Sequence, residues 1–297
     1  MTKSIGWLEM SVQVPDDWDL VAESGGISEA YMRFDSVDRV RMEIKWERTK
    51  KRGEAMPVLA IDGYIKEATK SVKDKKSVSV IEKGNARVAG HKASYSMWKI
   101  KDEFFITTCW LCQDEGKIVL AQYFLAPGES KSDQFEEVLR GIECHTEGDF
   151  YNYRLFGVKF QVPKGFQPST RKILVGRVRT SFVRMDSILY LSWVAMAREQ
   201  LRKHKTIGRF FNSSEASNVK SIGGIGALAK KVKDDDEAID LSSVVNPKIP
   251  FLSKPKHSRL KVIFDENFNK LFISGYACKP DDVEKAEAFM SSVGGCE

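Results

Sequence analysis

The 297-residue sequence lacks the features that mark several common classes of protein. It has no run of about 18 apolar residues, the length that a membrane-spanning helix needs, and its amino terminus has no apolar signal core. Its five cysteines are few for the length and odd in number, which argues against a disulfide framework. We therefore expect a cytoplasmic, globular protein without a transmembrane segment.

The motifs of several enzyme classes are also missing. No Gly-x-Ser-x-Gly, His-Glu-x-x-His or P-loop string occurs, so the serine-hydrolase, zincin and NTPase classes have no support. The four histidines have no spacing that pairs them with each other. We expect neither a cofactor nor a bound metal, and an enzyme is less favoured than a binding protein.

The chain repeats itself at a separation of about 150 residues. Val-Gln-Val-Pro at 12–15 returns as Phe-Gln-Val-Pro at 160–163, and the Tyr-Met-Arg-Phe-Asp-Ser run at 31–36 returns as Phe-Val-Arg-Met-Asp-Ser at 182–187. The apolar run at 117–123 is matched by the one at 270–276. The order is kept while the separation grows, which predicts a tandem duplication with repeats at 1–148 and 149–297.

Within each half, hydrophobic periodicity predicts strands together with a few helices. Two-residue alternation indicates strands near 8–14, 30–34, 40–46, 77–83, 87–100, 104–112 and 117–125. Helical spacing indicates helices at about 56–72, from about 133 to 142, at about 197–212 and from about 283 to 293. The predicted fold class is α+β, with two tandem repeats that each pack an antiparallel sheet with about two helices.

The middle of the second half is less regular. We predict a strand near 218–222 and align the segment at 222–227 with 88–93, which would make the glycine-rich run a hairpin strand. Residues 235–257 would then form an inserted surface loop, with an acidic start and three prolines. The run from Gly224 to Ala229 imitates a dinucleotide loop, but it lacks the buried parallel strand that such a loop needs.

Several of these motifs together resemble the PsbP-like fold. They are the Val-x-Val-Pro opening strand, the Val-Ala-Gly-His-Lys-Ala-Ser-Tyr entry at 88–95, and a closing helix after Ala-Pro-Gly at 126–128. The resemblance implies an α+β fold and a role in binding proteins rather than catalysis. The doubled chain and the long loop of the second half depart from that family.

Positive charge is concentrated in the second half. Residues 1–148 carry 22 Lys and Arg against 25 Asp and Glu, whereas residues 149–297 carry 25 against 16. Residues 164–233 alone hold 15 basic and 3 acidic side chains. Our candidate contact residues are the cations of two predicted strands and one predicted helix: Arg171, Lys172, Arg177, Arg179, Arg184, Arg198, Arg202, Lys203, Lys205 and Arg209.

These patterns favour a non-enzymatic binding or adaptor protein whose contact surface lies on the basic second repeat. The partner would be a protein or a polyanion. A nucleic-acid-binding protein using residues 164–211 is the first alternative, because such a surface would neutralise phosphates. The alternative without a binding function is that the basic face is simply solvated, or that it docks on the acidic first repeat.

Cys109 and Cys112 form a Cys-x-x-Cys pair, which can be redox-active or supply two zinc ligands. A thiol-redox or zinc-dependent enzyme is therefore the second alternative function. Strand alternation would place the two thiols on opposite faces of a sheet. Zinc needs two further ligands, and we do not expect Cys144 and His145 to converge on this pair. A structural role for both cysteines is favoured.

Overall fold

The computed structural model describes residues 2–26, 28–50, 56–129, 134–146, 148–245 and 256–296. The chain divides into two compact units. Unit 1 consists of Met1–Gly148 and Asn152–Phe156, and unit 2 consists of Asp149–Tyr151 and Gly157–Glu297. Helices and antiparallel sheets occur in both, which confirms the predicted α+β class. Among the described residues, no helix is long and apolar enough to span a membrane.

Unit 1 is built around a seven-stranded antiparallel sheet. In chain order its elements are β1 (Thr2–Trp7), β2 (Met10–Pro15), β3 (Asp19–Gly25), β4 (Glu29–Asp35), β5 (Val40–Arg48), α1 (Met56–Ala68), β6 (Val78–Val88), β7 (His91–Ile100), β8 (Glu103–Cys112), β9 (Lys117–Phe124), α2 (Gln134–Arg140), β10 (Ile142–Glu143) and most of β11 (Phe150–Leu155), whose first two residues belong to unit 2. The sheet order is β3-β4-β5-β9-β8-β7-β6. Separately, β2 pairs with β1 and β10, and β1 pairs with β11 at Gly6 and Arg154.

Helix α1 covers one face of the seven-stranded sheet. Its Ile61 and Ile65, spaced by four residues as the sequence pattern predicts, pack against Trp98, Phe105 and Cys109. Burial of each isoleucine contributes about 1.5–3 kcal/mol. The helix ends at residue 68 rather than at the predicted 72.

The buried cation Arg41 organises another part of unit 1. Its guanidinium lies 5.2 Å from the ring centroid of Trp18 and 5.4 Å from that of Tyr123. It also forms an ion pair with Glu129 at 2.9 Å, and Tyr123 donates a hydrogen bond to the same carboxylate. A buried charge needs such a partner, because desolvation otherwise makes it costly.

Unit 2 contains a six-stranded antiparallel sheet with a helical layer on one face. Its elements are β12 (Val158–Pro163), β13 (Gln167–Leu174), β14 (Arg177–Arg184), β15 (Ser187–Ala195), α3 (Ala197–His204), α4 (Ile207–Ser214), α5 (Ala216–Val219), α6 (Gly223–Ala229), β16 (Ile239–Val245), β17 (Lys256–Asp265), β18 (Lys270–Cys278), α7 (Val283–Ser292) and β19 (Gly294–Gly295). The sheet order is β13-β14-β15-β18-β17-β16, and β12 pairs with β19.

The predicted single helix at 197–212 is two helices. The chain turns at Lys205, whose φ of 70° lies in the left-handed region and ends α3. Thr206 then begins α4, because its hydroxyl accepts a hydrogen bond from the backbone N–H of Arg209 at 3.1 Å. Basic residues that the periodicity placed on one helical face therefore belong to two helices.

The glycine-rich segment was wrongly predicted as a strand. Residues 216–219 and 223–229 are the helices α5 and α6, and α6 packs on β16, β17 and β18. A Cβ atom at Gly224 would lie 1.9 Å from the hydroxyl oxygen of Ser258. The glycine thus allows a close approach of helix to sheet, and the alignment of 222–227 with 88–93 fails.

The predicted inserted loop at 235–257 is also wrong in part. Residues 239–245 form β16, which pairs with β17 from Ile239–Val262 to Val245–Lys256. Ile239 is buried against the helical layer, which anchors the strand. The three prolines of the proposed loop, Pro247, Pro250 and Pro255, lie outside the described residues.

Candidate functional site

The strand cations of the predicted basic region point to two different faces of the sheet of unit 2. Lys172 pairs with Arg179 across β13 and β14, whereas Arg171 pairs with Thr180. Because side chains alternate along a strand, Lys172, Arg177 and Arg179 share the face that carries the helical layer. Arg171 and Arg184 lie on the opposite face. The five strand cations do not form one surface.

Arg177 and Arg179 have an internal partner. Glu215, completely buried between α4 and α5, lies 3.0 Å from Arg177 Nη1 and 3.4 Å from Arg179 Nη2. The hydroxyl of Ser192 on the adjacent strand donates to the same carboxylate at 3.5 Å. These two arginines therefore tie the helical layer to the sheet.

Arg184 and Arg198 also make contacts within unit 2. Arg184 Nη1 donates to Asp282 at 3.0 Å, and Ser187 donates to the other oxygen of that carboxylate at 2.7 Å. Arg198 Nη2 donates to the backbone carbonyl of Glu266 at 2.9 Å. Position in sequence alone could not show that Arg184 is paired internally, whereas Arg198 stays exposed despite its contact.

Most of the exposed cations among the predicted contact residues lie on the helical layer, residues 197–233, all of which the structure describes, whereas Lys172 is exposed on β13. Arg198, Arg202, Lys203, Lys205 and Arg209 are exposed there. The layer adds four exposed lysines that the sequence reasoning did not single out: Lys220, Lys230, Lys231 and Lys233. Its only acidic residues are Glu199, which is exposed, and the buried Glu215. We call this segment the basic helical layer.

An acidic turn, formed by residues 234–237, borders the basic helical layer. The backbone carbonyl of Asp236 accepts a hydrogen bond from the N–H of Gly208 at 2.8 Å, and Asp234 accepts one from Asn212 at 2.8 Å. The turn is thus held against α4 near its start. Phe210 and Phe211, by contrast, are completely buried in the core of unit 2.

Cys109 and Cys112 lie on opposite faces of β8, as alternation predicts. Cys109 belongs to the core beneath α1, and burial raises the pKa of its thiol to about 12. Its sulfur is therefore protonated at neutral pH and a poor nucleophile. The two cysteines cannot act together as a redox pair.

A cavity of about 690 Å³ adjoins Cys109 in unit 1. Its lining includes Tyr31, Lys45 and Tyr64. The ammonium of Lys45 lies 5.4 Å from the ring centroid of Tyr31 and 5.7 Å from that of Tyr64. Burial raises the pKa of Tyr64 to about 12, so its phenol stays neutral at neutral pH.

Cys112, on the other face, converges with three more potential metal ligands. One ligand atom from each of His91, Cys112, Cys144 and His145 lies within 4.8 Å of all the others. His145 Nδ1 is 3.5 Å from the sulfur of Cys112 and 3.4 Å from that of Cys144. Both sulfurs are buried. The expectation that Cys144 and His145 do not converge on the Cys109–Cys112 pair was therefore wrong for Cys112, although Cys109 takes no part in the cluster.

Strand register explains this convergence. Ala93 pairs with Trp110 across β7 and β8, so the residues two positions beyond on each strand, His91 and Cys112, share one sheet face at the end of the ladder. Cys144 and His145 directly follow β10, which pairs with β2. The sequence predicted both strands, at 87–100 and 104–112, but not the register that places residues 91 and 112 side by side.

A buried ion pair lies beside the cluster of His91, Cys112, Cys144 and His145. Lys117, which pairs with Cys112 across β8 and β9, has no exposed side-chain surface and forms an ion pair with Glu9 at 3.1 Å. A hydrogen bond from the Cys144 thiol lowers the pKa of Cys112, and the charges of His91 and Lys117 act in the same direction. The same hydrogen bond, together with burial, raises the pKa of Cys144.

Comparisons with known proteins give no family for this chain. No family model matches it, and no curated protein sequence matches it. A solved structure from Bacteroides thetaiotaomicron is similar at 14% identity, with 78% of each chain covered and a TM-score of 0.31. MucB in complex with MucA(peri) is similar at 8% identity, with 97% of this chain and 82% of that chain covered and a TM-score of 0.23. The Pseudomonas aeruginosa immunity protein TplEi with "L" peptide is similar at 8% identity, with 99% and 96% covered and a TM-score of 0.31. At such low TM-scores these similarities carry no argument about fold or function.

Proposed function

We propose that the chain is a non-enzymatic binding protein and that the basic helical layer of unit 2 is its contact surface for an acidic protein. One observation carries this proposal: residues 197–233 expose nine cationic side chains and a single carboxylate, Glu199. Such a surface attracts a partner of opposite charge and orients it on approach. The strand cations Arg177 and Arg179 are excluded from it, because they neutralise Glu215.

Two features favour an acidic protein over a nucleic acid. Proteins that bind single strands stack bases on exposed aromatic rings, but Phe210 and Phe211 are buried. The acidic turn at 234–237 would repel a long phosphate backbone that followed α4. A compact acidic protein surface can contact the cations without crossing this turn.

The test compares two polyanions as probes, poly-L-glutamate and duplex DNA, binding to the full chain over a salt series. A triple substitution in the layer, Lys203→Glu with Lys205→Glu and Arg209→Glu, should weaken poly-L-glutamate binding by at least about tenfold at low salt. The matched control is a triple substitution in unit 1, Lys66→Glu with Lys73→Glu and Lys76→Glu, which reverses the same number of charges at exposed residues. We expect a loss of less than about threefold there, because only net charge changes.

Three results would overturn the proposal. One is no binding of poly-L-glutamate at low salt, and another is an equal loss in both triple variants. Tighter binding of duplex DNA with the same dependence on the layer would replace the acidic protein by a nucleic acid.

We also propose that the two units are copies of one fold. The strand orders support this, because β3-β4-β5-β9-β8-β7 in unit 1 corresponds to β13-β14-β15-β18-β17-β16 in unit 2. In both units the fold closes with a helix followed by a strand of two residues, α2 with β10 in unit 1 and α7 with β19 in unit 2. Strand β6 has no counterpart among the described residues of unit 2. Membership of the PsbP-like group and a cytoplasmic location stay predictions.

A further inference from the structure

We propose that His91, Cys112, Cys144 and His145 bind one Zn²⁺ ion in a closed, structural Cys₂His₂ site of unit 1. This site lies apart from the basic helical layer and does not depend on the function proposed for it.

The distances in the cluster fit tetrahedral coordination. With Zn–S bonds of about 2.3 Å and Zn–N bonds of about 2.0–2.1 Å, the ligand atoms of a tetrahedral site lie about 3.3–3.8 Å apart. His145 Nδ1 is 3.4 Å and 3.5 Å from the two sulfurs. All four ligand atoms lie within 4.8 Å of one another, so no pair of them has to close by more than about 1.5 Å.

The donor set selects the metal. Two thiolates and two imidazoles are the ligands of structural zinc sites, whereas Ca²⁺ and Mg²⁺ prefer oxygen. Four protein ligands fill all four positions and leave none for water or substrate. The site is therefore suited to holding structure together and not to Lewis-acid catalysis.

Groups around the cluster fit the same assignment. His145 points Nδ1 toward the sulfurs, and Asp114 Oδ2 lies 3.8 Å from Nε2, which is too far for a hydrogen bond but places a carboxylate on the side of the second nitrogen. A zinc-bound histidine commonly has such a carboxylate at its second nitrogen. Nε2 of His91 is buried and has no hydrogen-bond partner among the described residues, although most buried polar atoms have one.

The positions of the ligands define what the ion would do. His91 begins β7 and Cys112 ends β8, so both belong to the seven-stranded sheet. Cys144 and His145 follow α2 and β10 near the end of unit 1. One ion would therefore fasten the closing segment of unit 1 to its main sheet. The free energy of binding would add to the stability of this unit.

The experiment measures metal content and stability in the full chain, purified reduced and without a histidine tag. Elemental analysis should find one zinc per chain, and Co²⁺ in its place should give the visible spectrum of a tetrahedral, thiolate-bound ion. Cys112→Ser and Cys144→Ser should each weaken zinc binding at least about 10–100-fold. Cys109→Ser, three residues away on the opposite face, is the matched control and should keep the full zinc content.

A second measurement covers the case in which the serine variants fail to fold. Removal of zinc from the wild-type chain with a chelator should lower its Tm, and added Zn²⁺ should restore it. The proposal is overturned by a folded wild-type chain that carries no zinc and takes up none. Equal zinc loss in the Cys109→Ser control would also overturn it.

Discussion

Glu215 offers a sharp test of whether the arginines of β14 serve the fold or the contact surface. Changing Glu215 to Gln keeps the shape of the side chain and removes only its charge. The carboxylate is completely buried, so Arg177 and Arg179 would then face each other without their shared counter-charge. Loss of one partner from a buried ion pair typically costs about 3–5 kcal/mol.

The structure allows this cost to be refined. The side chains of Arg177 and Arg179 are 21% and 15% exposed, so water can solvate part of the unpaired charge. We expect Glu215→Gln to destabilise unit 2 by about 2–4 kcal/mol. Arg179→Met should cost less, about 1–2 kcal/mol, because Glu215 keeps Arg177 at 3.0 Å. The opposite order would contradict the assigned geometry.

Hydrogen–deuterium exchange at increasing urea concentrations can show that the lost stability belongs to unit 2, because peptides from β14 and α5 report the unfolding of that unit. The control is Asp186→Asn, which removes an exposed ion pair with Lys279 from the same unit. If Glu215→Gln shifts the unfolding midpoint no more than Asp186→Asn does, the reasoning is refuted. Arg179→Met should also leave poly-L-glutamate affinity unchanged, whereas an affinity loss in a folded variant would make Arg179 a contact residue.

Three further predictions concern packing and titration. Gly224→Ala should destabilise the chain by about 1–3 kcal/mol, because the added Cβ atom would collide with Ser258. Gly63→Ala in α1 should instead stabilise the chain by about 0.5–1 kcal/mol, because a Cβ atom there meets no atom within 4 Å and alanine favours the helix. Equal urea midpoints for the two variants would contradict this prediction. The free energy of unfolding should fall as the pH rises from about 9 toward 12. Burial raises the pKa of several phenols and thiols in the folded chain above their values in the unfolded chain. In this pH range the unfolded chain therefore loses these protons while the folded chain keeps them, which favours unfolding. The groups are Tyr31, Tyr64, Tyr123, Tyr190, Tyr276, Cys109 and Cys278. A urea midpoint that stays constant from pH 8.5 to 11 would exclude this linkage. Finally, iodoacetamide at pH 8 should modify Cys296 but spare Cys109 until the chain unfolds, and early peptide-mapped labelling of Cys109 would show that its burial is wrong.

Local periodicity predicted much of unit 1. Ile61 and Ile65 face the sheet because a helix places residues four apart on one side. Strand alternation correctly separated Cys109 from Cys112. It missed β1 and β3, however, and it placed one strand at 8–14 where a turn at Leu8 precedes β2.

Unit 2 was harder to predict because its helical layer depends on tertiary packing. Gly223, Gly224 and Gly226 lower the helix propensity of α6, so a pattern of neighbouring residues favours a turn or strand. The helix is stabilised instead by contacts of Ile225 and Leu228 with the sheet. Such contacts outweigh propensity, but they are visible only once the sheet is in place.

The sequence by itself determined the α+β class, the amphipathic helix α1 and the excess of basic residues between 164 and 233, because these depend on composition and on neighbours a few residues apart. Only the tertiary structure decided which cations are exposed, since Arg179 meets Glu215 from 36 residues away. It alone brought His91 and Cys112 together with Cys144 and His145. Their distances depend on strand register and on the path of the chain through α2, which short-range patterns do not contain.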